Sequence, residues 1–107
     1  MKKLLGAIFI AILGLSFVST SAFADSAKGQ KLYLKKLKRA CGFNGAVMSK
    51  KHTHAEWKAI YDAGKLKQEI KKFCPKVKDK ALKKRYIKNY YDFFYNFASD
   101  SGNVPSC

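Results

Sequence analysis

Three cysteines, two histidines and a surplus of lysine are the residues of this chain that could do chemistry. Cys41, Cys74 and Cys107 can close a disulfide in an oxidising compartment, or one of them can stay a reactive thiol. Three cysteines allow three single pairings and leave one thiol over, to be buried, modified or joined to another molecule. The intervals 41 to 74 and 74 to 107 are both 33 residues, so loop entropy does not choose between them. Either closure contributes on the order of 3.7 kcal/mol in the chain-entropy treatment. Cys41 with Cys74 is preferred because both fall at expected helix ends.

His52 and His54, in "KKHTHAEW", are the only histidines. An H-x-H pair with Cys41 nearby has the donor types for copper, zinc or haem iron. Two ligands do not complete a site, and Lys50 and Lys51 repel a cation. The pair therefore reads first as solvated residues ahead of a helix, and second as axial ligands for noncovalent haem. Asp, Glu, Ser and Thr form no nucleophile–base or paired-carboxylate arrangement, so the expectation is a binding protein and not an enzyme.

The compartment is written at the N-terminus. Lys2 and Lys3 precede an apolar run from Leu4 to Val18, and Ala22-Phe23-Ala24 is an A-x-A cleavage site. That is the pattern of a signal peptide over residues 1–24, with export to the periplasm or beyond. The apolar run is shorter than the roughly 20 residues of a spanning helix; a retained anchor is the rival reading. Cleavage leaves a single small domain of 83 residues, 25–107, without a transmembrane segment. Loss of Lys2 and Lys3 leaves 20 basic residues against 7 acidic, a net charge of +13.

A cation of that size attracts acidic proteins, anionic lipid or polyanions, and export makes nucleic acid the least fitting of these. The excess is concentrated in clusters: Lys35, Lys36, Lys38 and Arg39; Lys71 and Lys72; Lys83, Lys84 and Arg85. Solvated helix faces are their plainest explanation. A docking patch for an acidic periplasmic redox protein or an anionic membrane surface is the functional one.

Helical periodicity must position these groups. Tyr33, Leu34, Leu37, Ala40 and Cys41 make one apolar stripe over 27–41, and Gly42 ends it. Thr53 and Glu56 form a capping box before Trp57, Ile60 and Tyr61, with Gly64 as the stop. Leu66, Ile70 and Phe73 or Cys74 share a side before Pro75 breaks the third helix. The last helix is expected from Asp79, as N-cap, to Ala98. Its main stripe is Leu82, Tyr86, Tyr90, Phe93 and Phe97, with Ile87, Tyr91, Phe94 and Ala98 beside it. An irregular tail follows from about residue 99. No strand pattern competes, so the fold class is all-α, a small orthogonal helical domain of about four helices.

The stretches "KGQKLYLKKLKRACGFNGA" and "IKNYYDFFYNFAS", a short first helix and a long aromatic last one, resemble a class I cytochrome c. The resemblance implies that Gly29 and Tyr33 let the first helix cross closely over the last, with Tyr91 and Phe94 as facing aromatics. It also implies a lysine surface that docks acidic redox partners. That family attaches haem through C-x-x-C-H. Here the slot reads Lys38-Arg39-Ala40-Cys41-Gly42: the first cysteine is Lys38 and the histidine is Gly42. Met48 is the last methionine, so no distal methionine follows in the later half. No covalent haem is expected, and Cys41 is free to serve in a disulfide. The resulting expectation is an accessory or docking module of periplasmic electron transfer. A carrier of noncovalent haem and a secreted cationic, membrane-active or host-directed protein are the alternatives.

Overall fold

A computed structural model describes residues 25–105, so the signal-peptide segment and Cys107 lie outside the described residues. The described chain is all-α, with no strand. The first helix, α1 (25–41), is α-helical over 25–32, widens to a π-helix over Tyr33–Leu37, and closes as α-helix over Lys38–Cys41. Within the wide segment the Lys38 amide donates to the Tyr33 carbonyl, one residue further back than an α-helix reaches. Tyr33 and Leu37 stay on the buried side, whereas Leu34 is turned outward and is 41% exposed. Leu34 was expected in the apolar stripe; the extra residue in the turn moves it off.

Gly42, at φ 80°, stops α1 in the left-handed conformation. A short helix, α2 (Gly45–Ser49), follows. Asn44 caps it, its side chain accepting from the Val47 amide. Next come α3 (His54–Asp62) and α4 (Leu66–Phe73). Thr53 and Glu56 close a reciprocal capping box on α3, and Gly64 turns the chain at φ 72°.

The last helix, α5 (Lys84–Asn96), has Lys83 as its N-cap, four residues later than the expected Asp79. Asp79–Leu82 forms a 3-10 turn instead, and Lys83 is extended at ψ 149°. The Ala81 carbonyl, which a continuous helix would use internally, accepts from the Tyr90 hydroxyl at 2.8 Å. Asp79 caps nothing, because its carboxylate is drawn to Lys71 and Lys67 of α4.

The core is aromatic. Tyr33, Trp57, Tyr90, Phe93 and Phe94 are fully buried, joined by Leu37, Met48, Leu66 and Ile70. Each polar handle on these rings has a partner, as buried hydroxyl and indole groups need. Tyr33 Oη donates to the Phe43 carbonyl at 2.8 Å, and Trp57 Nε1 to the Ser49 carbonyl at 3.0 Å.

α1 crosses α5 at Gly29, where a Cβ would lie 1.9 Å from the Asn89 carbonyl oxygen and 2.7 Å from Phe93 Cβ. Only a glycine permits that approach. Tyr33 packs on Phe93 and Phe94, with ring centroids 6.1 and 6.2 Å apart. Tyr91 is not a facing aromatic at this crossing. It lies on another side of α5 and stacks on Tyr61 of α3 at 4.1 Å, and Phe93 takes the role expected of it.

The tail is irregular yet tied down. Lys50 Nζ donates to the carbonyls of Phe97, Ala98 and Asn103, at 3.2, 3.4 and 2.6 Å. The Ser99 amide donates to the His52 carbonyl at 3.0 Å. Cys41 and Cys74 form a disulfide with Cα atoms 4.5 Å apart. No helix among the described residues is long and apolar enough to cross a membrane.

A candidate anion-binding groove

Two walls of lysine face each other across an open groove of about 800 Å³. α1 supplies the first: Lys35, Lys36 and Arg39, with Leu34 and Ala40 between them. The π-helical widening lies under this wall and carries Leu34 to Lys36 outward. The second wall is the segment after the disulfide. In "CPKVKDKALK", Cys74, Val77 and Leu82 point into the core, leaving Lys76, Lys78, Lys80 and Lys83 on the outside. The Cys41–Cys74 bond ties the end of one wall to the start of the other.

Tyr86, at the first turn of α5, lines the groove beside them. Two cations lie over its ring: Lys36 Nζ is 5.0 Å and Arg85 Cζ 4.9 Å from the centroid. Arg85 Nη2 also donates to Tyr86 Oη at 3.0 Å. That hydrogen bond foremost, then the charges of Arg85, Lys36 and Lys83, hold the phenol below its ordinary pKa.

Among the described residues, seven cations therefore line the groove and no carboxylate does. The acidic residues are committed elsewhere. Asp25 and Asp92 face Lys88, Asp62 pairs with Lys58 at 2.6 Å, and Asp79 turns to Lys67 and Lys71. Glu56 closes the α3 cap, Glu69 meets His52 and Asp100 meets His54. Among the described residues none of the groove's cations is within ion-pair distance of a carboxylate. Uncompensated like charges held on two facing walls make a potential that an anion relieves.

Of the patch read from sequence, Lys35, Lys36, Arg39 and Lys83 meet here. Lys38 borders a neighbouring depression with Gly42 and Phe43, and Lys84 lies by Tyr61, Leu66 and Ile87. Arg85 acts on Tyr86. Lys76, Lys78, Lys80 and Tyr86 were not anticipated as part of the patch. The alternation of lysine with apolar residues after Cys74 was the available signal.

The histidines are engaged and not simply solvated. His52 Nε2 lies 2.6 Å from Glu69 Oε2, and the ring packs edge-on against Trp57 at 4.7 Å. His54 Nδ1 is 3.0 Å from Asp100 Oδ1, with its ring 4.6 Å from Tyr95. No cluster of three or more metal-ligating side chains occurs among the described residues. The stretch Lys38–Gly42, likened above to a haem-attachment motif, has its side chains otherwise placed. Cys41 Sγ is bonded to Cys74, Lys38 is exposed, Gly42 has no side chain, and fully buried aromatic rings fill the interior.

Comparison of the chain with protein-family models, with curated proteins and with solved structures returned no match.

Proposed function

We propose that this chain is an exported cationic binding module that docks an anionic partner in the groove between α1 and the segment from Lys76 to Lys83. The observation that carries the reading is seven cations lining one concave surface with no carboxylate among them. Lysine spread for solubility would be interspersed with acid. The Cys41–Cys74 disulfide supports export, since such bonds persist outside the reducing cytoplasm. The resemblance to class I cytochromes c supports a narrower version, an accessory of periplasmic electron transfer whose partner is an acidic redox protein. An anionic membrane surface would satisfy the same groove.

Binding of the mature protein to poly-glutamate tests the reading. Affinity should collapse between about 0.01 M and 1 M salt, as the screening length falls from about 30 to about 3 Å. A triple variant Lys76→Gln/Lys78→Gln/Lys80→Gln should bind about tenfold more weakly, the loss expected from three solvent-exposed ion pairs at about 0.5 kcal/mol each. Removal of the same net charge away from the groove, in Lys28→Gln/Lys31→Gln/Lys65→Gln, should cost much less. Equal losses in the two triples would reduce the groove to undirected charge and overturn the proposal. The electron-transfer version fails separately, if the protein neither binds acidic redox partners nor alters their electron exchange.

A further inference from the structure

We infer that the groove is built for a compact anion carrying several phosphate groups, an extension that rests on the anion-docking reading above. Shape is the first argument. A concavity of about 800 Å³ falls in the roughly 300–1,000 Å³ range of small-ligand clefts. Charge density is the second. Seven cations within one cleft call for many negative charges in little volume. A phosphate monoester carries about −1.5 to −2, so roughly four balance the groove. Seven carboxylates on seven side chains would not pack into the same space.

The donor type is the third argument. Six of the seven groove cations are lysine. An ammonium is a point charge with three donors, so it donates to a phosphate oxygen from any direction without the fixed geometry of an arginine fork. The last argument is the lining between the charges. Leu34, at 41% exposure, with Ala40, Ala81 and the Tyr86 ring gives the groove an apolar floor. That floor suits the carbon scaffold of an organic phosphate, whereas an inorganic one would engage the cations alone. Two sources offer this chemistry to an exported protein: a phospholipid headgroup at a membrane surface, and a free polyphosphate.

The test uses the mature protein with its disulfide intact. Sodium tripolyphosphate, measured by calorimetry, should bind at least about tenfold more tightly than a glutamate peptide of equal charge. The Lys76/Lys78/Lys80 triple variant should lose that preference, and the Lys28/Lys31/Lys65 triple should retain it. Phosphatidylcholine vesicles doped with cardiolipin, which holds two phosphates on one headgroup, are compared with vesicles of equal charge made with phosphatidylglycerol. Tighter binding to cardiolipin, displaced by tripolyphosphate, supports a lipid source. Tight tripolyphosphate binding with no difference between the two vesicles supports the soluble one. A glutamate peptide that binds as tightly as tripolyphosphate, with both lost in the groove variant, overturns the phosphate inference and leaves anion docking standing. Failure of every anion to bind, or equal losses in the two triples, removes both.

Discussion

Replacing Gly29 by alanine puts one methyl group into the closest helix contact of the fold. The new Cβ would lie 1.9 Å from the Asn89 carbonyl oxygen and 2.8 Å from its carbonyl carbon, both backbone atoms of α5. Ordinary contact begins at 3.4 Å, so α1 and α5 must part locally by about 1.5 Å. Phe93, whose Cβ would be 2.7 Å away, has little room to yield, because it is fully buried and its ring fills the space a Cβ on Gly45 would need. Overpacking a filled core costs about 1–3 kcal/mol, and a backbone obstacle argues for the upper end. Alanine returns about 1 kcal/mol of helix propensity. The net loss is then about 2 kcal/mol, which for a domain of this size lowers Tm by roughly 8–16 °C.

Far-UV circular dichroism during reversible melting, with the disulfide intact, measures the shift. Gly64→Ala is the comparison: it has φ 72° but nothing within 4 Å of a Cβ. It should cost only the conformational strain of about 1 kcal/mol. If Gly29→Ala melts at or above the parent temperature, or above Gly64→Ala, the close crossing is refuted.

Removing the disulfide in Cys41→Ala/Cys74→Ala should lower stability by on the order of 3.7 kcal/mol for the 33-residue closure. A fall in the denaturant midpoint with unchanged helicity in water would measure it. Burial pushes the Tyr90 phenol well above its ordinary value of 10. Its contribution is therefore complete below about pH 10 and is lost above it, as the unfolded state ionises first. Phenolate absorbance and unfolding should rise together on the alkaline side. Tyr90→Phe should remove that alkaline loss, lowering neutral stability by about 1 kcal/mol for the bond to Ala81.

Local signals were legible in the sequence because local physics decides them. The Thr53–Glu56 box, the stops at Gly42 and Gly64 and the break before Pro75 each depend on a few neighbouring residues. The late start of α5 depends on Tyr90 reaching back to the Ala81 carbonyl, nine residues away, and no periodicity records that bond. Leu34 fits the apolar stripe of an α-helix, but the π-helical turn beneath it changes the phase. Tyr91, expected at the crossing, and Phe93, which takes its place, lie two residues apart on one aromatic helix. Which of them meets α1 depends on how α5 is rotated, and that is set by the whole core. The groove was half legible: clusters of consecutive lysines stand out, whereas Lys76, Lys78 and Lys80, spaced singly, join it only when Val77 and Leu82 turn inward.

The 33-residue ring closed by Cys41 and Cys74 encloses α2, α3 and α4, while α1 and α5 lie outside it and meet at Gly29. The ring contains Lys50, Lys51, Lys58, Lys65, Lys67, Lys71 and Lys72, so a secreted protease that cuts after lysine has seven target sites within it. A single scission at any of them leaves both fragments on one covalent body, with the helix crossing and the groove walls outside the cut. Such a nicked molecule would migrate as one species until a reductant separates it into two.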